Sequence, residues 1–252
     1  MKLCLLSDIH SNLYALEACL EHAHNEGVTH YAFLGDLVGY GAFPHEVLEI
    51  IMKMVNDEQA WAVRGNHDQL VTELKSDKVH TNASLTQNWT YEQLSEGERM
   101  FLSTLPLTTK VKNILLVHSS ASQPHLWRYI DNEINARECL QAAKTQFETG
   151  QIFVGHVHHQ GLYYQGAGRG LMHFVPTPGV AIPIISHRDF IVTVGSVGQP
   201  RDGDVRAMYT IYDQDSLKIT FHRVEYDHQK AADAVREKGL PESQALRLEQ
   251  GR

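Results

Sequence analysis

Short apolar runs that alternate with amphipathic segments are the feature that most constrains the fold of this chain. Each run is rich in aliphatic or aromatic residues and is bounded by turn-forming residues, as buried strands are. Before residue 160 the runs are KLCLL (2–6), HYAFL (30–34), WAV (61–63), NILLV (113–117) and QIFV (151–154). The alternation predicts an α/β sheet covered by helices.

The segments between these runs carry apolar residues at helical spacing. The recurring residues are Leu13, Leu16, Cys19 and Leu20 in the first segment, and Val47, Leu48, Ile51 and Val55 in the second. Longer helical regions are predicted over 84–104 and over about 133–148.

The pattern changes after about residue 160. Strand-like stretches separated by Gly, Pro and Asp predict hairpin-connected strands, which either form a second sheet or complete the first. A terminal helix is expected over 228–239, closed by Gly239. Residues 241–252 are expected to be a polar, frayed tail, which leaves residues 1–240 as a single domain.

Composition limits the partners of this chain. It has 252 residues and a net charge of -8, so it carries no overall electrostatic footprint for nucleic acid, and a nucleic-acid partner is not expected. An anionic substrate would need local positive charge, and a bound metal is a compact way to supply it.

The cysteines and the apolar runs indicate the compartment. Cys4, Cys19 and Cys139 are odd in number and far apart, as in a reduced protein without a disulfide framework or a zinc site. The N-terminal apolar run is too short for a secretory signal, and no run approaches a membrane span. A cytoplasmic protein with no membrane contact is expected, and the sequence leaves its oligomeric state open.

Metal-ligand residue types follow each of the five apolar runs. In order along the chain they are Asp8 and His10, Asp36, the Asn66–His67–Asp68 triplet, His118, and then His156 and His158. A single aspartate after a strand is most often a helix cap, but here every predicted central strand ends in such residues. Ligands bind at the carboxyl ends of strands in α/β sheets, so a shared site is predicted there.

The residue types suit a pair of divalent cations. Imidazole favours ions such as Mn, Fe, Zn or Ni, and carboxylate favours harder ones. Two neighbouring ions that share one anionic ligand can clamp the attacking and leaving oxygens of a phosphoryl displacement. Glycines at 35, 65 and 155 allow sharp turns and close backbone approach.

These motifs together closely resemble those of the calcineurin-like metallophosphoesterases. The shared motifs are D-x-H (8–10), G-D (35–36), G-N-H-D (65–68), the strand-end His118 and G-H-x-H (155–158), within roughly residues 1–200. The resemblance implies a four-layer αββα sandwich, with two mixed β-sheets packed face to face and flanked by helices.

The resemblance also implies how the ligands divide between two metal ions. Asp8, His10 and His158 would hold one ion, Asn66, His118 and His156 the other, and Asp36 would bridge them. Mn²⁺ is the first expectation, with Fe, Zn, Ni or Co as alternatives, because these ligands accept several ions.

The family pattern gives the GNHD motif a catalytic role. His67 would protonate the leaving oxygen, and Asp68 would orient His67 and raise the pKa of its imidazole. Asp68 also suits a helix cap. Arg64 is interpreted as a structural salt-bridge partner, with a phosphate contact as the alternative.

Departures from the family pattern point to its small bacterial and archaeal branch. The second motif reads GDLVGYG, so it lacks the arginine that holds phosphate in serine/threonine phosphatases. Tyr40 could stack on a base or simply pack. In the stretch 195–204, Arg201 could bind a second phosphate or a nucleotide, or pair with Asp202 or Asp204.

The expected activity is hydrolysis of a phosphoester or phosphoanhydride, by direct attack of a metal-bridging hydroxide on a small phosphorylated substrate. A nucleotide such as a diadenosine polyphosphate is the finer expectation. A serine/threonine phosphoprotein phosphatase or a nuclease on the same site is the enzymatic alternative. A protein-interaction scaffold is the non-enzymatic one, although such relatives usually lack ligands that this chain retains.

Overall fold

The computed structural model describes residues 1–73, 82–166, 168 and 170–252, with the backbone alone for 82–84. These residues form twelve strands: β1 Lys2–Leu6, β2 His30–Phe33, β3 Ala60–Ala62, β4 Thr108–Val111, β5 Ile114–Val117, β6 Gln151–Val154, β7 Gln160–Gln165, β8 Leu171–Phe174, β9 Ala181–Pro183, β10 Phe190–Val194, β11 Ala207–Asp213 and β12 Lys218–Val224. All five apolar runs of the first part of the chain contain strands.

The same residues form eight α-helices: α1 Leu13–Asn25, α2 Pro44–Asn56, α3 Asn66–Thr72, α4 Asn82–Gln93, α5 Glu96–Thr104, α6 Glu133–Phe147, α7 His228–Glu237 and α8 Glu242–Gln250. In the part of the chain that the structure describes, no helix has both the length and the apolar content needed to cross a membrane.

The strands form two six-stranded mixed sheets. The first has the order β3-β2-β1-β11-β12-β9, with β1, β2 and β3 parallel and the remaining pairs antiparallel. The second has the order β4-β5-β6-β10-β7-β8, with β5, β6 and β10 parallel.

The alternating side chains of β1 show how the layers stack. Leu3 and Leu5 face the core between the two sheets, in the same cluster as Phe153 of the second sheet. Cys4 and Leu6 face the opposite side, in a cluster with residues of α1 and α2. Because α6 packs on the outer face of the second sheet, the predicted four-layer αββα sandwich is confirmed.

The strands after residue 160 divide between both sheets. β7, β8 and β10 extend the second sheet, whereas β9, β11 and β12 complete the first. The hairpin pattern predicted strands but could not assign them, because an antiparallel pair looks the same in either sheet.

The helical region predicted over 84–104 is two helices rather than one. The first helix, α4, ends at Gln93, and Ser95 is the N-cap of α5. The Glu98 backbone N–H donates to the Ser95 hydroxyl at 3.3 Å. The Ser95 backbone N–H donates in return to the Glu98 carboxylate at 2.7 Å. This reciprocal pair is a capping box, and its S-x-x-E spacing stands in the sequence.

The expectation of a frayed tail over 241–252 is wrong. Residues Glu242–Gln250 form α8, which packs against α7 through Ala245 and Leu248. These two residues lie three positions apart, so they share one face of the helix despite the polar composition around them. The terminal helix predicted over 228–239 is present as α7, and Gly239 adopts the left-handed conformation just beyond it.

Leu248→Ala should lower the free energy of unfolding by about 2–5 kcal/mol, because it opens a cavity between α7 and α8. Leu248 is 6% exposed, whereas Leu246 on the same helix is 39% exposed and serves as the matched control. Leu246→Ala should change the value by about 0.5 kcal/mol or less. Equal effects of the two substitutions in denaturant unfolding would contradict the packing of α8.

Candidate metal centre

The seven predicted ligands lie at one edge of the two sheets, each just after the carboxyl end of a strand. Asp8 and His10 follow β1, Asp36 follows β2, Asn66 begins α3 after β3, His118 follows β5, and His156 and His158 follow β6. Because β1 to β3 belong to the first sheet and β5 and β6 to the second, both sheets contribute to the cluster.

Five of these residues have a left-handed backbone. The φ angles are 52° at Asp8, 49° at His10, 51° at Asp36, 66° at His156 and 58° at His158. Aspartate and histidine enter this region more readily than most residues, but each such position still carries strain. The strain is concentrated where the chain turns sharply after a strand, and the turns bring the side chains together.

Two glycines allow the loops to approach each other, as predicted. Gly35 has φ +84°, and a Cβ atom there would lie 2.6 Å from the Gly65 backbone nitrogen. A Cβ atom on Gly65 would lie 2.2 Å from Asp36 Oδ1. Any side chain at either position would push the loops after β2 and β3 apart.

Asp8, His10 and His158 form a compact group that could hold one cation. Asp8 Oδ1 lies 3.1 Å from His158 Nε2, and the Nε2 atoms of His10 and His158 are 3.3 Å apart. All three side chains are almost completely buried, at 2% exposure or less.

Asn66, His118 and His156 form the neighbouring group. His118 Nε2 lies 3.2 Å from Asn66 Oδ1 and 3.1 Å from His156 Nδ1. Asp36 Oδ2 lies 3.4 Å from His118 Nε2 and 3.8 Å from His10 Nε2, so it touches both groups. This position between the groups is the one that a bridging carboxylate requires.

The second nitrogen of each histidine in the cluster contacts a backbone carbonyl. The pairs are His10 Nδ1 with Val38 O at 3.3 Å, His118 Nδ1 with Leu34 O at 2.7 Å, His156 Nε2 with Trp127 O at 2.9 Å and His158 Nδ1 with Gln199 O at 2.6 Å. A carbonyl only accepts, so these nitrogens carry hydrogen and the opposite nitrogens can offer lone pairs to the cluster. Asp8 Oδ1 is buried there without a hydrogen-bond donor among the described residues. The donor set therefore fits bound cations.

The cluster attracts positive charge. Burial alone would raise the pKa of Asp36, but the charges of His118 and His67 lower it well below its usual range. Burial would likewise lower the pKa of His118, but the Asp36 carboxylate raises it to about 9. Burial, with the nearby His118 charge, lowers the pKa of His156 to about 4. A proton on His118 can thus supply part of the charge that a metal would supply.

His67 lies beside the cluster, but not in the predicted pairing with Asp68. Its ring centroid is 5.0 Å from that of His10, and its Nδ1 atom is buried without a hydrogen-bond partner among the described residues. Burial lowers the pKa of His67 below its ordinary value. His67 also falls into a third possible metal group with His10 and Asp36.

Asp68 binds backbone rather than His67, so the predicted orienting contact is wrong. Its Oδ2 accepts the Gly65 N–H at 2.9 Å, and its Oδ1 accepts the N–H groups of Leu37 and Val38 at 2.9 and 3.2 Å. Burial and the charge of Asp36 raise the pKa of Asp68 to about 7, although the backbone donors act in the opposite direction. Asp68 caps α3, as the alternative interpretation held, and joins the loops after β2 and β3.

The side chain of Arg64 contacts the end of α5. Its guanidinium donates to the Ser103 carbonyl at 3.1 Å near the end of α5. Among the described residues it has no carboxylate partner within salt-bridge distance, so the expected salt bridge is not found there.

Tyr40 lies at the cluster. Its ring centroid is 4.6 Å from that of His10 and 4.4 Å from that of His67. Arg201 lies close enough to Tyr40 for its charge to oppose the rise that burial causes in the pKa of Tyr40. It does not pair with Asp202 or Asp204: Arg223 binds Asp202, and Arg206 binds Asp204 at 2.6 Å.

Three residues at the site were not predicted from the sequence. Tyr129 stacks on His156 with centroids 4.1 Å apart, Gln199 holds His158 through its carbonyl, and Arg247 of α8 lies 5.9 Å from the Tyr40 ring centroid. The aromatic run LWRY (126–129) was a visible signal for Tyr129. No local pattern marked Arg247, because its helix was expected to be a tail.

Comparison with known proteins identifies the family. The model of the calcineurin-like phosphoesterase family matches residues 1–187. The chain belongs to the calcineurin-like phosphoesterases. A metallophosphoesterase from Sphaerobacter thermophilus has a similar structure, with a TM-score of 0.87, 35% identity and coverage of 100% of this chain and 99% of that one.

One further relative and one further protein of the same fold are also similar to this chain. An uncharacterised protein of Methanocaldococcus jannaschii is 34% identical over 256 residues, covering 99% of this chain and 98% of its own length. A hypothetical protein of Pyrococcus horikoshii shares the fold, with a TM-score of 0.76 and 23% identity over 100% of this chain and 98% of its own. Family membership and the Asp/His cluster together fit a dinuclear divalent metal site.

Asp68→Ala should lower the free energy of unfolding by at least about 2 kcal/mol, because it leaves three buried backbone N–H groups without their acceptor. Asp57→Ala, at an exposed site after α2, is the matched control and should be nearly neutral. Unchanged stability of the Asp68 variant, with a loss confined to activity, would instead support the orienting role.

Proposed function

We propose that this calcineurin-like phosphoesterase hydrolyses a phosphoester or phosphoanhydride bond of a small substrate with the help of two divalent ions. The observation that carries the proposal is the position of Asp36 Oδ2, 3.4 Å from His118 and 3.8 Å from His10, between two ligand groups. The first ion would be held by Asp8, His10 and His158, the second by Asn66, His118 and His156, and Asp36 would serve both. When bound, such ions neutralise phosphate charge and lower the pKa of coordinated water.

The protein residues around this cluster set up the reaction. The carbonyl groups of Leu34, Val38, Trp127 and Gln199 fix the histidine rings, so the ligands need not reorganise when substrate binds. The burial of the cluster strengthens its electrostatic interactions with an entering phosphate.

His67 is the proposed proton donor to the leaving oxygen. Burial favours its neutral form in the free protein. A phosphate dianion bound beside the ring would raise the pKa of His67, because nearby negative charge stabilises the imidazolium. The proton would therefore be taken up when substrate binds, without help from Asp68.

Neither enzymatic alternative nor the scaffold gains a specific supporting observation. A phosphoprotein phosphatase would need an arginine that binds the substrate phosphate at the second motif, where this chain has Tyr40. The net charge of -8 disfavours nucleic acid as substrate. We also propose Mn²⁺ as the metal at both positions and the cytoplasm as the location of the protein.

The test is hydrolysis by the Mn-loaded protein of a panel that holds chromogenic phosphomonoesters and phosphodiesters, diadenosine polyphosphates, phosphopeptides and short oligonucleotides. Release of phosphate or nucleotide from the small substrates is the expected result. Activity restricted to phosphopeptides or oligonucleotides would transfer the proposal to one of the alternatives. No hydrolysis, with less than one bound metal per chain, would favour the scaffold.

Asp36→Asn should reduce turnover by more than the roughly 10- to 100-fold typical of residues that only orient ligands. The bridge loses its charge, so the number of metal ions per chain, measured by elemental analysis, should fall with it. Asp57→Asn makes the same change at an exposed site and should leave both values unchanged. Full activity of the Asp36 variant would remove the bridging role.

His67→Gln should retain both ions and lose roughly 10²- to 10⁴-fold in kcat, the range typical of a general acid. The loss should be largest for substrates with poor leaving groups, since those need the proton most. If metal content falls instead, the third group with His10 and Asp36 binds metal, and His67 is a ligand.

A further inference from the structure

Two arginines from distant parts of the chain meet beside the metal centre. Arg201 belongs to the loop 195–206 between β10 and β11, and Arg247 belongs to α8. Both donate to the same atom, Gln199 Oε1, at 3.1 Å from Arg201 and 3.5 Å from Arg247. Both are partly buried. We refer to Arg201 and Arg247 as the arginine pair.

The arginine pair has no acidic partner among the described residues. Within the described ranges of the chain, neither guanidinium has a carboxylate within 4.0 Å. Asp202 and Asp204 follow Arg201 closely in the sequence, but they bind Arg223 and Arg206 instead. Arg201 Nε is also buried without a hydrogen-bond partner among these residues. Two cations that share a neutral amide oxygen repel each other, so an anion placed between them would be stabilising.

The pair is linked directly to the proposed ligands. The backbone carbonyl of Gln199, whose side chain receives both arginines, accepts the Nδ1–H of His158 at 2.6 Å. Arg247 lies 5.9 Å from the centroid of the Tyr40 ring, which itself contacts His10. The positive charges of Arg201 and Arg247 also oppose the rise that burial causes in the pKa of Tyr40. The arginine pair therefore lies on the side of the centre formed by His10 and His158.

The position of the pair is fixed by the packing of α8. Gln199 Nε2 donates to Gln244 Oε1 of that helix at 3.3 Å, and Leu248 anchors the helix on α7. Gln199 is 2% exposed, so the acceptor shared by both arginines is held within the protein. The pair is thus preorganised and needs little ordering when a ligand binds.

We propose that the arginine pair binds a second phosphate group of the substrate, next to the one that is hydrolysed, and so selects phosphoanhydrides such as nucleoside polyphosphates over simple phosphoesters. A guanidinium suits this role because its planar donors match phosphate oxygens in pairs. The proposal rests on the proposed function and narrows its substrate class.

The kinetic experiment compares Arg247→Ala and Arg201→Ala with wild type on a diadenosine polyphosphate and on a chromogenic phosphodiester. Each substitution should raise KM for the polyphosphate roughly 10- to 100-fold, because it removes a charged hydrogen bond to the second phosphate. The KM for the phosphodiester should change little. Arg252→Ala removes the same charge from an exposed position five residues beyond Arg247 and should have no effect on either. Arg247→Lys keeps the charge without the planar donors and should recover only part of the loss.

A binding experiment gives a readout that does not depend on turnover. Methylenediphosphonate and methylphosphonate differ by one phosphonate group, and calorimetry with the metal-loaded protein gives the dissociation constant of each. The preference of wild type for the diphosphonate should fall roughly tenfold or more in Arg247→Ala. Unfolding curves show that the variants are folded, and Arg247→Lys provides the second variant if the alanine form is unstable.

The outcomes separate the two proposals. If wild type hydrolyses phosphodiesters, but the diphosphonate preference and the polyphosphate KM are the same in Arg247→Ala, the arginine-pair proposal is overturned and the proposed function stands. If wild type hydrolyses nothing, the proposed function fails. In that case a lost diphosphonate preference in the variant still supports the arginine pair as an anion site.

Discussion

Two buried carboxylates, Asp8 and Asp36, impose the constraint on which the rest of this structure depends. Each is at most 1% exposed, and a buried charge is tolerated only with compensating charge and hydrogen bonds. Asp8 Oδ2 accepts the backbone N–H of His156, and Asp36 Oδ1 accepts the backbone N–H of His67, both at 2.8 Å. The surrounding imidazoles face these two negative charges, so the cluster suits bound cations.

The same carboxylates also hold the fold together. Asp8 comes from the first sheet and its hydrogen-bond donor His156 from the second, so this contact joins the sheets at the edge where the site lies. The loop 195–206 adds a third connection, because Ser196 Oγ and the Gly198 N–H both donate to the Asp8 carbonyl, at 2.8 and 2.9 Å. The candidate site and the architecture therefore depend on the same residues, and substitutions at these positions affect both.

The sequence predicted the parts of the molecule that have strong local signals. The apolar runs located the central strands, and the motifs around Asp8, Asp36 and His118 identified the cluster, because strand ends of one sheet edge converge. It could not predict that Asp68 would bind the N–H groups of Leu37 and Val38, since these come from the loop after β2, about 30 residues earlier. It also failed at α8, where only Ala245 and Leu248 are buried apolar residues and the partner helix is needed to order them. Arg247 was missed for that reason.

The pairing of β1 with β11 has a consequence for how the protein is made. Lys2 to Leu5 lie opposite Asp213 to Thr210, so β1 leaves the ribosome about 200 residues before its partner β11. At roughly 5–20 residues per second this delay is on the order of 10–40 s. Gly198, which holds Asp8 in place, emerges almost as late. The loop that positions Asp8 is therefore synthesised after all seven predicted ligands, and the cluster reaches its final geometry only once that loop has emerged.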